Sequence, residues 1–274
     1  MRAPGIYADI DIDAYHADEG ISSSGISLIL DCPKRYWWEY HSGQKSERDG
    51  KAYNIGQAIH TAILEPTKFQ ERFYLCEESY DLRTKAGKET FQKIEHEAKG
   101  RIILRGADCE MIVHMEASVK NHSLWEKIDL SKGSIETSVY WDAGIYNTRL
   151  RARPDFYNDN IIIDLKTTDS IAGFAKSVYN YGYHRQAAMQ IDGLEAIDGK
   201  KRHFAFFVVE KKAPHLTACF TLDEQALDQG RKEYLEGAAV YSECLRFDKW
   251  AGYDEKFQLL SLPKWAIARE EEIV

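Results

Sequence analysis

Hydrophobic and polar residues follow two different periods along the chain, and the changes between them divide the sequence into three parts. Over residues 1–125, apolar residues recur every three to four positions, a pattern that predicts mainly helices. In the segment AYNIGQAIHTAILEP, Ile55, Ile59 and Ile63 fall on one side of a predicted helix. Pro66 follows and predicts its end. Other helices are predicted within GISSSGISLILDCPKRYWWEYH and over residues 86–99 and 106–122.

The pattern changes to that of a β-sheet between residues 134 and 222. Runs rich in β-branched and aromatic residues are separated here by Asp, Gly and Asn, which favour turns. A helical pattern over residues 170–195 separates the first three strands from the last two. A long helix from about Asp223 to Phe247 opens the C-terminal part, residues 223–274. The predicted strands cover residues 135–141, 148–157, 160–167, 203–212 and 216–222.

The order of these elements predicts the fold class. Helices come first, and they are followed by three strands, a helix, two strands and a long helix. This order predicts one α/β domain of the mixed α+β type over residues 1–274. We expect a central mixed sheet that is flanked by helices, with an N-terminal helical layer. The length of 274 residues, 44% of them hydrophobic, is sufficient for such a domain with a substantial core.

The net charge restricts the classes of partner. A formal net charge of −8 argues against a general nucleic-acid binder. Basic residues nevertheless cluster at positions 34–35, 149–153 and 200–202. Two interpretations remain open: solvated charge on an ordinary surface, or a basic cleft in an otherwise acidic exterior.

Cysteine use and hydropathy indicate a cytoplasmic protein. The five cysteines are widely spread without a C-x-x-C pair, which predicts reduced thiols and supports neither a zinc ribbon nor an iron–sulfur cluster. The sequence lacks a run of eighteen apolar residues, so no membrane span is predicted. The stretch MRAPGIYADIDIDAYHADEG lacks the apolar region of a signal peptide. We therefore expect a cytoplasmic protein without membrane contacts.

An acidic residue interrupts an otherwise apolar strand. Asp164 follows three isoleucines in NIIIDLKT, and Lys166 shares its face of the strand because alternate side chains point the same way. Asp155 lies on the preceding strand, at a spacing that allows a tight hairpin to bring it beside Asp164. Adjacent carboxylates repel each other unless a cation lies between them, and Mg²⁺ or Mn²⁺ prefers such oxygen ligands. For these three residues, a metal site and an Asp–Lys salt bridge at a sheet edge both remain open.

The surrounding residues resemble a nuclease superfamily. Residues 154–166 follow the pattern P-D-x₈-D-x-K and resemble the signature of the PD-(D/E)xK nucleases. Tyr183 and Gln186, in YGYHRQAAM, resemble the Y-x-x-Q motif of the exonuclease branch related to the nuclease domain of RecB. His60, in GQAIHTAILEP, matches the histidine that this branch carries on an upstream helix. The resemblance implies a restriction-endonuclease-like core.

A longer series of motifs is similar to the C-terminal nuclease domain of the RecE, or exodeoxyribonuclease VIII, family. It runs from PGIYADIDIDAYH through ETSVYW and DLKTT to LSLPKWA and covers about residues 4–267. The similarity implies a processive, Mg²⁺-dependent exonuclease, with Mn²⁺ able to substitute, that degrades one strand of linear duplex DNA from 5′ to 3′. It also implies 3′ overhangs for recombination, a ring-shaped homotetramer and a RecT-type annealing protein as partner. Since the long N-terminal extension of the best-known relative is not seen, a stand-alone enzyme encoded by a phage or prophage is expected.

The resemblance assigns the metal ligands and the catalytic cation. Asp155 and Asp164 are predicted ligands, because a buried acid in an isoleucine-rich strand is otherwise hard to explain. His60 and Leu165 are the other predicted ligands, although a histidine on an apolar helix is, without the resemblance, more often a core residue. Lys166 is the predicted catalytic cation, which would neutralise the phosphate in the transition state.

Further residues are assigned to catalysis or to DNA. Glu136 is predicted to hold the metal through water or to support a ligand, with an exposed glutamate at a strand end as the alternative. Tyr183 and Gln186 are predicted to orient the lysine or the scissile phosphate, with packing and capping as the alternative. Contacts with DNA phosphate are predicted for Arg151, Arg153, Thr167, Thr168 and His184.

Two other functions remain open on the same sequence. The first is a structure-specific endonuclease or junction resolvase on the same fold. The second is a catalytically inactive module that binds DNA ends. Other catalytic schemes find no support: the sequence lacks a G-x-S-x-G motif, and KAGKET lacks the upstream glycine and the hydroxyl residue of a phosphate-binding loop.

Overall fold

The structure is a computed structural model of the chain. It describes residues 2–44, 51–76, 78, 80–143, 148–254 and 256–263, with the backbone alone for residues 51–53. The last residues of the LSLPKWA motif lie outside these ranges. Helices dominate the part before residue 121, and seven of the ten described strands lie between residues 134 and 220, as the periodicity predicts.

The described ranges contain ten strands and ten α-helices. The strands are β1 (Gly5–Tyr7), β2 (Phe73–Cys76), β3 (Ile102–Arg105), β4 (Ser134–Ile135), β5 (Ser138–Asp142), β6 (Arg149–Ala152), β7 (Phe156–Tyr157), β8 (Ile161–Thr168), β9 (His203–Glu210) and β10 (Thr217–Phe220). The helices are α1 (Ile12–Ala17), α2 (Ser23–Asp31), α3 (Pro33–His41), α4 (Lys51–Leu64), α5 (Pro66–Arg72), α6 (Lys85–Ala98), α7 (Gly106–Lys120), α8 (Phe174–Asn180), α9 (Tyr183–Asp198) and α10 (Glu224–Phe247). Among the helices of the described ranges, none has the length and apolar character needed to cross a membrane.

The central sheet has five strands in the order β10-β9-β8-β7-β4. β8 and β9 are parallel because α8 and α9 connect them, whereas the other neighbouring strands are antiparallel. A second sheet has the order β1-β5-β6, and β2 pairs with β3. The chain therefore passes from the central sheet to the second sheet between β4 and β5, and it returns between β6 and β7.

Alternation along β8 separates two apolar layers. Ile162 packs with Phe206 and with residues of α9 and α10, whereas Ile163 and Leu165 pack with residues of α4 and α7. Asp164 lies on the face of Ile162 and is completely buried. A buried carboxylate is costly unless charged or hydrogen-bonding groups compensate it, so this position requires partners from a neighbouring element.

The predicted mixed α+β class, with a central mixed sheet and N-terminal helices, is confirmed. Some boundaries differ. The helix predicted in GISSSGISLILDCPKRYWWEYH is two helices, because Pro33 has no N–H to continue α2 and begins α3. Pro66 likewise begins α5 after α4 has ended. The strand predicted over residues 148–157 is interrupted at residues 153–155, where the chain changes sheets.

Helices α9 and α10 approach each other closely at Gly230. A methyl group there would overlap the backbone carbonyl of His184, which cannot turn away as a flexible side chain can. We expect Gly230→Ala to lower the free energy of unfolding by about 1–3 kcal/mol. The melting temperature should fall by about 2–4 °C for each kcal/mol.

Gly56→Ala is the matched control for this substitution. A methyl group on Gly56 meets no atom within 4 Å among the described residues, and alanine favours helix α4. Its melting temperature should therefore equal or exceed that of the unaltered protein. Equal melting temperatures for the two alanine variants would contradict the close packing at Gly230.

Candidate active site

The candidate site lies where the chain changes between the two sheets. Glu136 follows β4 and Asp155 precedes β7, and the N–H of Glu136 donates to the carbonyl of Asp155 over 3.0 Å. Glu136 has a φ of +48°, in the left-handed region that is costly for residues other than glycine. The hydrogen bond between the two crossing segments therefore keeps both carboxylates at the same pocket.

Three side chains bring potential ligand atoms together in this pocket. One atom each of His60, Glu136 and Asp155 lies within 4.8 Å of the other two. Nδ1 of His60, on α4, lies 3.4 Å from Oδ2 of Asp155. Asp155 is buried, whereas His60 and Glu136 are partly exposed and line a large cleft. We call these three residues the acidic–histidine group.

The electrostatics of the acidic–histidine group reflect this crowding. Burial and the Asp155 carboxylate raise the pKa of Glu136 to about 7. Burial lowers the pKa of His60, but the charge and hydrogen bond of Asp155, with the charge of Glu136, together outweigh burial and raise that pKa to about 9. Burial raises the pKa of Asp155, but His60, the charge of Lys166 and the N–H of Leu165 together outweigh burial and lower that pKa. The charge of His60 thus compensates the carboxylate of Asp155, whereas the carboxylate of Glu136 remains close to a negative charge.

The acidic–histidine group fits a divalent cation. Carboxylate oxygens suit Mg²⁺ and Mn²⁺, and an imidazole is a common ligand of transition metals. A cation would relieve the repulsion that raises the pKa of Glu136, and it would replace the proton on His60. The donor set therefore fits a divalent metal without distinguishing the two ions.

A second set of side chains surrounds Asp164 on β8. Lys166 forms an ion pair with Oδ2 of Asp164. Nε2 of Gln186, on α9, donates to Oδ1 of Asp164 over 2.6 Å, and Nζ of Lys166 donates to Oε1 of Gln186 over 3.2 Å. Burial raises the pKa of Asp164. Burial lowers the pKa of Lys166, but Asp164 and the charges of Asp155 and Tyr183 together outweigh burial and raise that pKa. Lys166 therefore stays protonated within a closed triangle, which we call the lysine triangle.

Helix α9 holds Lys166 from a second side. The Nζ of Lys166 lies 4.6 Å from the centroid of the Tyr183 ring, a cation–π contact. Tyr183 and Gln186 lie one turn apart on α9, so both reach the lysine. Gln190, a further turn along, has its Nε2 3.5 Å from Oδ1 of Asp164. No motif pointed to Gln190; its only signal in the sequence is the helical spacing from Gln186.

The structure divides the predicted metal ligands between the two sets. Asp155 and His60 lie together, whereas the carboxylate of Asp164 faces the lysine triangle and is not part of the acidic–histidine group. Glu136, predicted as an indirect ligand, occupies the third position of that group. The side chain of Leu165 lies in the opposite apolar layer, and its N–H donates to Oδ2 of Asp155 over 2.6 Å. Leu165 could thus offer a metal only its carbonyl oxygen.

The two arginines of the motif are engaged within the protein. Arg151 donates to the carbonyl of Tyr15, and its guanidinium lies 4.8 Å from the centroid of that ring. Arg153 donates to Oε2 of Glu136 over 3.0 Å and to the carbonyl of Ile10 over 2.8 Å. Arg153 therefore fixes the carboxylate of Glu136. The contact of both arginines with DNA phosphate stays a prediction.

Three further residues predicted to contact DNA lie away from the acidic–histidine group. His184 is buried, and its Nε2 lies 3.0 Å from Oε2 of Glu233, which ties α9 to α10. Thr168 uses its hydroxyl in the turn that follows β8. Thr167 points to the face of β8 opposite the lysine. None of the three is among the described residues that line the cleft, and their DNA contacts stay predictions.

The cleft in front of the acidic–histidine group has a volume of about 1720 Å³. Its lining includes Arg72, Lys99, Arg101 and Arg246, together with several acidic residues. Phosphates would be attracted to the basic part of this lining. These four basic residues do not form a recognisable sequence motif. Each lies at or just after the end of a helix, and packing alone decides how these helices are placed relative to one another.

Comparisons with known proteins concern both the family and the fold. The family described as a PDDEXK-like domain of unknown function (DUF3799) matches residues 22–263. The sequence has no match among the curated proteins. The crystal structure of a candidate exonuclease from Eubacterium rectale is similar with a TM-score of 0.64 and 14% identity, over 97% of this chain and 99% of that chain. For a phage-related exonuclease from Haemophilus somnus 129PT, the TM-score is 0.34 and the identity 12%, over 85% of this chain and 99% of that chain. The first similarity shows a shared fold.

Proposed function

This chain belongs to the PDDEXK-like family DUF3799, and from that membership and the site we propose that it is a metal-dependent nuclease. The PD-(D/E)xK core predicted from the sequence is confirmed by the family match. We propose further that it acts as a Mg²⁺-dependent exonuclease, which degrades one strand of linear duplex DNA from 5′ to 3′. These finer parts rest on the resemblance to the RecE family.

One observation carries the proposal: a carboxylate of the acidic–histidine group contacts the strand that bears the partly buried lysine. Oδ2 of Asp155 lies 3.4 Å from Nδ1 of His60 and accepts the N–H of Leu165 over 2.6 Å. Leu165 lies between Asp164 and Lys166 in the sequence, so the acidic–histidine group is adjacent to the lysine triangle. A structural salt bridge would explain Lys166 alone. It would not explain the crowding that raises the pKa of Glu136.

The residues of the chain have distinct tasks in phosphodiester hydrolysis. A divalent cation held by His60, Glu136 and Asp155 would supply a Lewis acid that lowers the pKa of water and offsets the phosphate charge. Lys166 donates to the phosphate oxygens, where negative charge develops in the transition state. Asp164 keeps that ammonium group charged and in place. Cleavage of the bond to the 3′ oxygen leaves the phosphate on the 5′ side of the released nucleotide.

Linear and circular DNA distinguish the proposed exonuclease from its alternatives. With Mg²⁺ or Mn²⁺, we expect acid-soluble nucleotides from linear duplex and none from covalently closed circles, because an exonuclease requires an end. A 5′ label should be released before a 3′ label. Added EDTA should stop the reaction, which serves as the control.

The other outcomes have a defined meaning. Cleavage of closed circles would favour an endonuclease or junction resolvase. Binding of DNA ends without any release of nucleotides would favour an inactive module. Earlier release of the 3′ label would contradict the proposed polarity.

The proposed recombination role adds an assembly and a partner. The resemblance to the RecE family supports a ring-shaped homotetramer in the bacterial cytoplasm and a RecT-type annealing protein that receives the 3′ overhang. A ring could retain the DNA during many successive cleavages. Light scattering of the purified protein should give four times the mass of one 31.5 kDa chain.

A further inference from the structure

Two tyrosines with exposed rings lie next to the lysine triangle. Tyr179 is 73% exposed and Tyr181 is 67% exposed. Tyr179 lies in the last turn of α8, and Tyr181 lies in the loop directly before α9. Such exposure excludes a role for either ring in the core, and the hydrolysis described above uses neither of them.

The ring of Tyr181 continues a row of groups that starts at the lysine. Its centroid lies 5.6 Å from that of Tyr183, at an interplanar angle of 38°. The Tyr183 ring in turn lies 4.6 Å from Nζ of Lys166. An ammonium group, a half-buried ring and an exposed ring therefore follow one another from the proposed phosphate position towards solvent.

The loop that carries Tyr181 is held by its surroundings. Gly182 has a φ of +66°, and a methyl group there would overlap the guanidinium of Arg185. Arg185 forms an ion pair with Glu233 on α10, and it donates to Oγ of Ser27 on α2 over 3.0 Å. The exposed ring is thus presented by a backbone fixed to two other helices. Little conformational entropy would be lost if a flat ligand stacked on it.

We propose that Tyr181 binds a nucleobase of the cleaved strand by stacking, adjacent to the scissile phosphate, and that Tyr179 extends this surface. The proposal rests on the nuclease function proposed above. Stacking of a base on an aromatic ring contributes about 1–3 kcal/mol and is tolerant of sequence, because every base has a π-face. That tolerance suits an enzyme that removes each nucleotide in turn.

The proposal also specifies the form of the substrate. A base that stacks on Tyr181 has left the stack of the duplex, which costs free energy that stacking on the ring offsets. At least one nucleotide at the end of the cleaved strand is therefore unpaired when it enters the site. Tyr181 positions this nucleotide so that its phosphate reaches Lys166.

Abasic substrates test the stacking contact directly. On ordinary duplex, Tyr181→Ala should lower kcat/KM by about tenfold to a hundredfold. An abasic site at one of the two terminal nucleotides should lower kcat/KM of the unaltered protein by a similar factor. On that abasic duplex, Tyr181→Ala should cause no further loss. Tyr181→Phe and Tyr181→Trp should retain activity, because stacking uses the ring and not the hydroxyl.

A fluorescent base provides a readout that does not depend on cleavage. With 2-aminopurine at the strand end and EDTA present, binding to the protein should quench the fluorescence, and Tyr181→Ala should abolish the quenching. Tyr253→Ala is the matched control, because Tyr253 is 70% exposed but lies after α10. Quenching without cleavage would support the stacking site while contradicting the nuclease function.

Other results would overturn the stacking site alone. The first is that Tyr181→Ala shows the same quenching and the same kcat/KM as an unaltered protein that cleaves DNA. The second is that, on abasic DNA, Tyr181→Ala lowers kcat/KM further, so that the losses from the substitution and from the abasic site multiply. A loss in Tyr181→Phe equal to that in Tyr181→Ala would also overturn it. Since the ring is exposed, the melting temperature of each variant should stay unchanged, which separates these results from misfolding.

Discussion

Lys166→Met is expected to lower the rate of DNA cleavage by about a hundredfold to a thousandfold, as loss of one preorganised donor does in other hydrolytic sites. The ammonium group is the protonated member of the lysine triangle and adjoins the acidic–histidine group. Methionine retains the length of the side chain without its charge. Single-turnover rates on linear duplex, with saturating Mg²⁺ or Mn²⁺, measure the loss.

The stability of this variant needs its own control. Without Lys166, Asp164 is left buried with its charge unpaired, and removal of one partner from a buried pair costs about 3–5 kcal/mol. The double variant Asp164→Asn, Lys166→Met removes both charges, and it should recover most of the lost melting temperature without recovering cleavage. Cleavage at the normal rate in Lys166→Met would show that the lysine is only a structural partner of the aspartate.

Binding of a divalent cation should raise the melting temperature of the protein strongly. A ligand at a hundred times its Kd adds about 2.7 kcal/mol to the free energy of unfolding. At about 2–4 °C for each kcal/mol, the melting temperature should rise by about 5–11 °C. Differential scanning calorimetry with increasing Mg²⁺ or Mn²⁺, without DNA, measures this shift independently of activity.

Single substitutions in the acidic–histidine group should remove this shift. Glu136→Gln keeps an oxygen for Arg153 and His60→Ala leaves both carboxylates, yet each removes one proposed ligand. Asp159→Asn is the matched control, because Asp159 is a 70% exposed carboxylate that pairs with Lys200 on the surface. An unchanged shift in Glu136→Gln and His60→Ala would contradict a metal site at this group.

Local periodicity was sufficient for most of the fold. The alternation in NIIIDLKT and the apolar side of AYNIGQAIHTAILEP correspond to β8 and α4, because each element is defined by neighbours along its own chain segment. Short elements were missed, among them β2 and β3, each of four residues. So few residues carry too little pattern, and these two strands are stabilised by pairing with each other.

The candidate site was predictable only in part. The hairpin of β7 and β8 does bring Asp155 to the strand of Asp164, since Phe156 pairs with Ile163 in the ladder. The sequence nevertheless suggested one ligand set that contains both aspartates. The structure gives Asp164 to Lys166 and places Glu136 beside Asp155. No spacing rule in the sequence predicts that Glu136, which has a left-handed backbone conformation between β4 and β5, contacts Asp155 in the segment before β7.

By itself, the sequence determined that Asp164 and Lys166 share one face of a buried strand, because side-chain alternation is a property of the strand's own backbone. It also determined, through its motifs, the PD-(D/E)xK family. Only the tertiary structure decided which acids meet His60, and that the ring of Tyr181 extends the row from the lysine towards solvent. The side chains concerned lie on α4, on the two segments where the chain crosses between sheets, and on the α8–α9 loop. The distances between them depend on how apolar layers pack between elements that are far apart in the chain.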